Sequence, residues 1–121
     1  LHDPTEGGLA TGVRELAAAA GAGAILGRSN VPVMPETAAI ADALDLDPLG
    51  MLASGSLLAA VPSDRIEEAE RACLTHGLPF AWIGKIVTLE RGFVLREGEM
   101  EAELPVFTTD EVARALASGG R

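Results

Sequence analysis

Residues whose types and spacing suit chemistry are crowded at the start of the sequence, in HDPTEGG at positions 2–8. The segment precedes an amphipathic helical pattern, and free N–H groups at a helix start attract anions. Glycine removes the Cβ that would obstruct a phosphate, which suits Gly7 and Gly8. Asp3 is a candidate Mg²⁺ contact or a positioner of a basic group, since carboxylates and substrate phosphates usually share that ion. His2 is a proton carrier or a surface packing residue.

The same segment also fits an ordinary helix start. Asp3 would be the N-cap, Pro4 would occupy the first helical position, and Glu6 would complete a capping box. That interpretation leaves the two glycines unexplained, because each interior helical glycine costs about 1 kcal/mol relative to alanine. They indicate a close approach to the backbone, either by a phosphate or by another strand or a neighbouring domain.

A second candidate lies at SGS, where Ser54, Gly55 and Ser56 precede the apolar run LLAAV. Small hydroxyls and glycine amides in such a loop contact phosphate, although the segment is also typical of an ordinary turn. Cys73 falls on the apolar stripe of a predicted helix and is assigned to the core, and His76 to the end of that helix. The chain offers no nucleophile, base and acid that form a set, so we expect it not to work alone.

Composition narrows the class of partner. The 121 residues carry 18 acidic and 9 basic side chains, a formal charge of -9 that argues against nucleic acid and anionic membranes. A nucleotide carrying magnesium remains compatible with that charge. The single cysteine excludes an intrachain disulfide and fits a reducing cytoplasm, and no run reaches the roughly 18 apolar residues of a membrane span. Because the first residue is Leu1, we expect a piece of a longer protein.

The pattern of elements predicts an α+β fold, a mixed β-sheet packed with helices. Predicted helices run from the opening segment to about residue 21, over 35–44, from an N-cap at Ser63 to Gly77, and from a Thr108–Glu111 capping box onward. Predicted strands are AGAILG, LLAAV as a central strand, FAWIGKIVTL, and GFVLREGEMEAEL with a turn at Gly98. We predict one domain over residues 1–118 with a frayed tail at 119–121.

Three stretches, HDPTEGGLATGVRELAAAAGAGAIL, VPVMPETAAIADALDLDPLGMLASGSLLAAV and IGKIV, resemble the C-terminal domain of the aminoimidazole ribonucleotide synthetase (AIR synthase) superfamily. Within it the likeness is nearest to the hydrogenase maturation carbamoyl dehydratases. The resemblance implies a two-domain, usually homodimeric enzyme whose N-terminal ATP-binding domain is absent here. It also implies ATP and Mg²⁺ as cofactors, and phosphorylation of an amide-type oxygen on a small molecule or protein. Its DxTxGG segment, facing the nucleotide or acceptor, maps onto Asp3, Thr5, Gly7 and Gly8.

Three departures limit the transfer to the carbamoyl dehydratases. Those enzymes commonly have an arginine at the position of Glu6 and a Glu-Gly-Lys-like segment at Ser54–Ser56, and they end in a reactive cysteine that this chain lacks. Glu6, His2 and Ser54–Ser56 are therefore substrate-side candidates, and no metal site is expected within this chain alone. The alternative function is a non-catalytic binding or scaffolding module. Under either interpretation the isolated domain is expected to be inactive.

Overall fold

A four-stranded mixed β-sheet forms the centre of the computed structural model, which describes residues 1–119. Its strands are β1 (Ala22–Gly27), β2 (Gly84–Thr88), β3 (Phe93–Glu97) and β4 (Met100–Glu103). They lie in the order β2-β1-β3-β4, with β1 antiparallel to β2 and parallel to β3, and β3 antiparallel to β4. The predicted α+β class with a mixed sheet is confirmed.

Within residues 1–119, four α-helices accompany the sheet: α1 (Gly8–Ala19), α2 (Pro35–Leu44), α3 (Ile66–Thr75) and α4 (Glu111–Gly119). Short 3-10 turns occur at Arg28–Asn30, Pro48–Gly50, Ser63–Arg65 and Leu89–Arg91. The predicted tail begins inside α4, because Gly119 is helical, and residues 120 and 121 lie outside the described residues. The domain span of 1–118 stays a prediction.

The core lies between α1 and the sheet. AGAILG forms the interior strand β1, as its unbroken run of small and apolar residues predicts, and its residues 23–26 are buried. Ala24 and Leu26 pack in one cluster with Ala10, Val13 and Ala17 of α1. Leu49, Leu58, Leu95 and Leu104 complete that cluster. Because α1 precedes β1 through a short turn and packs back on it, the start of α1 lies toward the end of β1.

The run LLAAV does not form the predicted central strand. Within the described residues only Leu58 makes a β-bridge there, antiparallel to His2, while Leu57 is 67% exposed. A strand needs a continuous backbone partner on at least one side, and the short opening segment supplies one residue of it. The strand predicted from the apolar composition of LLAAV is therefore wrong.

The three predicted N-terminal helix caps are wrong in detail. α1 begins at Gly8 with Gly7 as its N-cap, four residues after the predicted cap Asp3, because Gly7 has a left-handed φ of 79° that no helix interior adopts. Ser63 begins a 3-10 turn, and α3 starts only after Arg65. The α4 cap is Asp110, whose Oδ1 accepts a hydrogen bond from the Val112 amide at 2.8 Å.

The outer helices bury less than their patterns predict. On α2, whose bounds agree with the prediction, only Ala41 of the expected apolar face is buried, and Ile40 and Leu44 are exposed. No residue of α3 is buried, and Cys73 on its stripe is half-buried rather than part of the core cluster. His76 is exposed at the end of that helix and bonds the Ala72 carbonyl at 2.8 Å.

Candidate functional site

The two segments singled out by their residue types lie side by side. The amide of His2 donates to the Leu58 carbonyl at 2.8 Å, and the Leu58 amide donates back at 2.7 Å. Further along, the Ala53 amide donates to the Thr5 carbonyl at 3.4 Å. The turn Ser54–Ser56 lies in the chain between these two attachments. Residues 48 to 56 positions apart in sequence therefore form one surface.

We name this surface the loop surface and define it as Asp3, Thr5, Glu6, Ser54, Gly55 and Ser56, all of which are exposed. The turn is closed by the Ser56 amide, which donates to the Ala53 carbonyl at 3.2 Å. Gly55 has φ +90° with open space where a Cβ would stand. Two carboxylates, three hydroxyls and an accessible glycine backbone thus face solvent together. Oxygen groups of this kind suit a hydrated cation or a polar ligand.

Gly7 and Gly8 are buried and do not belong to the loop surface. A Cβ on Gly8 would stand 2.5 Å from the Leu49 carbonyl oxygen and 2.6 Å from that of Met51. Gly8 also has φ +67°, a left-handed conformation that L side chains rarely adopt. The close approach that the double glycine predicted is therefore made by this chain's own turn at Pro48–Gly50.

The amide of Gly7 has a partner that the sequence did not indicate. It donates to Asp110 Oδ2 at 2.8 Å, across 103 residues of chain, in a buried contact. The Gly8 amide is also occupied, since it donates to the Thr5 carbonyl at 3.1 Å. The first two amides of the helix start are thus satisfied inside the protein. Asp110 is 9% exposed, and the adjacent Asp-Glu pair was the available signal for a helix cap, but not for this second contact.

Glu111 makes a parallel attachment one residue later. Its Oε2 accepts from the Asp47 amide at 3.1 Å and from Arg114 Nη2 at 2.7 Å. The pKa of Glu111 lies below its usual range, chiefly because Arg114 donates to the carboxylate and further because the Asp47 amide does; burial opposes both. Arg114 Nη2 also donates to the Asp45 carbonyl at 2.8 Å. The start of α4 therefore holds the chain just before the Pro48–Gly50 turn.

Asp47 links this region to the end of β1. Its two carboxylate oxygens accept from Arg28 Nη1 and Nη2, each at 3.0 Å, and Oδ1 also accepts from the Leu49 amide. Burial raises the pKa of Asp47, but the hydrogen bonds from Arg28 and Leu49 outweigh it, so the pKa lies below its ordinary value. A bidentate arginine pair of this geometry fixes both partners. The Pro48–Gly50 turn is thus held from two sides.

His2 is engaged away from the loop surface. Its Nε2 lies 2.6 Å from Glu15 Oε2 on α1, and the side chain is about one third exposed. This contact ties the opening segment to the helix that follows it. The alternative of a packing residue accounts for this geometry, and a proton-carrying role for His2 stays a prediction.

Basic side chains are missing from the sequence around the loop surface. Residues 1–13 and 29–64 contain no lysine or arginine, whereas the surface itself carries the carboxylates Asp3 and Glu6. A phosphate placed there needs a cation, either a metal ion or basic groups from another polypeptide. Within the part of the chain that the structure describes, no three His, Cys, Asp or Glu side chains are grouped to hold a metal ion. The carboxylates fit Mg²⁺ only as one part of a shared ligand set.

Residues 1–96 match the family described as AIR synthase related protein, C-terminal domain. With most of the chain matched and the mixed sheet in place, the chain belongs to this family. The segment HDPTEGG and the turn Ser54–Ser56 both lie inside the matched region. The resemblance that the sequence motifs predicted is thereby confirmed.

Within the family the chain is similar to carbamoyl dehydratases. It is 38% identical over 99 residues to carbamoyl dehydratase HypE of Azotobacter vinelandii, covering 80% of this chain and 29% of that protein. It is 36% identical over 89 residues to HypE of Escherichia coli K12, covering 72% of this chain and 26% of that protein. The chain therefore spans less than a third of the curated relatives that it matches.

Solved structures agree with this assignment. The crystal structure of E. coli HypE, a hydrogenase maturation protein, matches 93% of this chain and 36% of its own with a TM-score of 0.82 and 30% identity. A HypE structure in complex with ATP matches 89% of this chain and 35% of its own, with a TM-score of 0.78 and 29% identity. Among residues 1–119, no helix has the length and apolarity needed to cross a membrane.

Proposed function

We propose that this chain forms one wall of the active-site cleft in an ATP-dependent enzyme that activates an amide-type oxygen. The observation that carries the proposal is the exposed loop surface within the family match, where backbone bonds to Ala53 and Leu58 hold the opening segment beside the turn Ser54–Ser56. Binding and catalytic residues are concentrated on loops that a rigid scaffold positions, which supports a ligand-facing role for this surface. The ATP-bound HypE structure supports a nucleotide as that ligand.

In the proposed reaction the amide oxygen attacks the γ-phosphorus of ATP and the bond to ADP breaks. Phosphate then leaves the activated carbon, either as the amide nitrogen gives up its two protons and a C≡N bond forms, or as a nucleophile bonds to that carbon in its place. Asp3 and Glu6 would contribute carboxylate oxygens toward Mg²⁺, and the hydroxyls of Thr5, Ser54 and Ser56 would orient phosphate or acceptor oxygens. Bound Mg²⁺ would neutralise charge on the transferring phosphoryl group. Gly7 and Gly8 would not contact the ligand; they would fix the backbone that carries the exposed residues.

The positive charge for such a site comes from outside the loop surface, since residues 1–13 and 29–64 hold no basic side chain. We propose that a separate ATP-binding half supplies it and that the complete enzyme is a homodimer working in the cytoplasm. The relatives are long enough to contain such a half, because this chain covers only 29% of the A. vinelandii protein. A small-molecule or protein-bound amide would be the acceptor.

A second candidate function is a non-catalytic binding or scaffolding module. It is favoured by the chemistry of the loop surface itself, where Glu6 is acidic and Ser54–Ser56 offers only neutral groups. A surface of this kind binds polar groups without contributing a positive charge to a phosphoryl transfer. The two functions differ in whether ATP turnover depends on Asp3.

The test is a chimera of E. coli HypE in which this chain replaces the region it matches. We would measure MgATP binding by calorimetry and phosphate release, comparing the parent chimera with Asp3→Asn. Glu90→Gln is the matched control, because Glu90 is exposed in the Leu89–Arg91 turn next to the start of β1. The 12-residue helix α1 separates that end from the loop surface by about 18 Å.

We expect a loss of turnover of at least about tenfold in Asp3→Asn and no change in Glu90→Gln, as for loss of an interaction with the transferring phosphoryl group. A folded chimera that binds and turns over MgATP equally well in both variants would remove Asp3 from the site. A folded chimera that binds its protein partners without any turnover would favour the scaffolding function.

A further inference from the structure

Helix α4 is attached to the candidate site through its N-cap, Asp110, and its first residue, Glu111. Asp110 uses both carboxylate oxygens, Oδ1 for the Val112 amide that begins α4 and Oδ2 for the Gly7 amide, each at 2.8 Å. The same side chain therefore caps the C-terminal helix and fixes the end of the opening segment. Its 9% exposure leaves little room for water to replace either bond.

The second attachment reaches the other half of the loop surface. Glu111, 7% exposed, accepts from the Asp47 amide and holds the chain immediately before the Pro48–Gly50 turn. Phe107, just ahead of α4, packs against that turn so closely that a Cβ on Gly50 would stand 2.4 Å from its ring. The turn continues through Met51 into Ser54–Ser56. Residues 107–111 thus hold both the opening segment and the turn that leads into Ser54–Ser56.

Direct contact couples these two attachments. Gly8 lies against the carbonyls of Leu49 and Met51, at distances that leave no space for a methyl group. A shift of the opening segment at Gly7 therefore requires a shift of the Pro48–Gly50 turn, because close-packed backbone does not deform continuously. The start of α4 is the one structural element, among the described residues, that hydrogen-bonds to both.

We propose that Asp110 is a positioning residue for the loop surface and that α4 sets the placement of Asp3, Thr5 and Glu6. This inference rests on the proposed function for its catalytic meaning, but its structural part stands on geometry alone. The residue lies beyond the family match at residues 1–96. A residue beyond that match thereby controls a surface inside it.

The test uses the 121-residue chain, one variant that separates the two bonds of Asp110, and one control variant. Asp110→Ser keeps a good N-cap for α4, but the shorter side chain with a single oxygen does not reach the Gly7 amide. Asp64→Ser is the control, since Asp64 is exposed in the Ser63–Arg65 turn. Amide hydrogen exchange by NMR would report Gly7 and the helix amides of α4 separately.

We expect Gly7 to exchange about tenfold to a hundredfold faster in Asp110→Ser, the effect of losing a hydrogen bond to a charged group. The amides of α4 should keep their protection, while the amide resonances of Thr5 and Glu6 shift. Asp64→Ser should reproduce none of these changes. Unchanged exchange at Gly7, or an equal rise throughout the chain, would overturn the proposal.

The catalytic part is measured in the HypE chimera carrying Asp110→Ser. A positioning role predicts a fall in kcat with a smaller change in KM for ATP, because the ligand groups are present but displaced. Unchanged kinetics together with faster Gly7 exchange would overturn the positioning role. A chimera without any nucleotide turnover would count against the proposed function alone, and the exchange result would still decide whether Asp110 holds the loop.

Discussion

The substitution Gly8→Ala gives a sharp test of how the opening segment is packed. Gly8 has φ +67°, and a Cβ there would meet the Leu49 oxygen at 2.5 Å, the Met51 oxygen at 2.6 Å and the Gly50 carbonyl carbon at 2.8 Å. All three atoms are backbone, so no side-chain rotation relieves the contact. The Pro48–Gly50 turn would have to move, against the hydrogen bonds that hold Asp47.

Two costs add in this variant. An L residue in the left-handed region loses roughly 1–2 kcal/mol. Forcing an extra methyl group into a packed site costs typically another 1–3 kcal/mol. The free energy of unfolding should therefore fall by about 2–5 kcal/mol in Gly8→Ala.

Gly21→Ala is the matched control, because it carries the first cost without the second. Gly21 has φ +65°, nearly the same as Gly8, but nothing lies within 4 Å of its Cβ position. Urea unfolding followed by circular dichroism would compare both variants with the parent chain. The midpoint of Gly8→Ala should fall by roughly 1–2 M more than that of Gly21→Ala, at slopes usual for a domain of this size. Equal midpoints would show that the turn does not lie against Gly8 as described.

Two further predictions concern the core and the buried carboxylate. Leu104→Ala should lower the free energy of unfolding by about 2–5 kcal/mol, because the side chain is fully buried, while Leu116→Ala, 73% exposed, should change it by less than about 0.5 kcal/mol. Asp47 has a pKa below its unfolded value, so its stabilising effect is present above the ordinary pKa of aspartate and is lost as the pH falls through the folded value. Melting temperatures from pH 7 to 2 should show Asp47→Asn least stable relative to the parent at neutral pH, with the gap closing below about pH 4. A constant gap would contradict the pairing of Asp47 with Arg28.

Local sequence patterns correctly predicted the elements whose bounds depend on their own residues alone. AGAILG is continuously apolar and lies inside the sheet, and PETAAIADAL begins with a proline and forms α2 over the predicted range. The turn at Gly98 joins β3 to β4, as its position between two β-rich segments predicts. In each case propensity, hydrophobic period and turn chemistry agree, which is when sequence specifies structure well.

Predictions failed where a distant residue decided the outcome. Thr108 and Glu111 have capping-box spacing, but Asp110 caps α4 and Glu111 bonds the Asp47 amide, 64 residues away. LLAAV has the composition of a central strand, yet its described backbone partner is limited to His2. Spacing along the chain contains no information on such partners. The same limit hid the bond between Asp110 and Gly7.

The candidate site was predictable as a set of segments but not as a surface. Both HDPTEGG and SGS could be chosen from residue types, and nothing in either indicated that Thr5 and Ala53 would be hydrogen-bonded. The double glycine predicts a close approach by a phosphate, another strand or a neighbouring domain, and at Gly8 it is the protein's own backbone that approaches. A glycine in the sequence indicates that another group packs close to the backbone, but it does not indicate which group.

These observations divide the motif DPTEGG into two halves with different tasks. Asp3, Thr5 and Glu6 are exposed and carry side-chain oxygens, while Gly7 and Gly8 are buried and are held by Asp110 and by the Pro48–Gly50 turn. A ligand-facing group gains transition-state interactions only if its backbone is fixed before the ligand arrives. The buried glycines therefore matter to the proposed function without touching a ligand. Substitutions in the two halves should have different effects. Changes in the outer half should alter binding or turnover in a stable protein, and changes in the inner half should first alter stability.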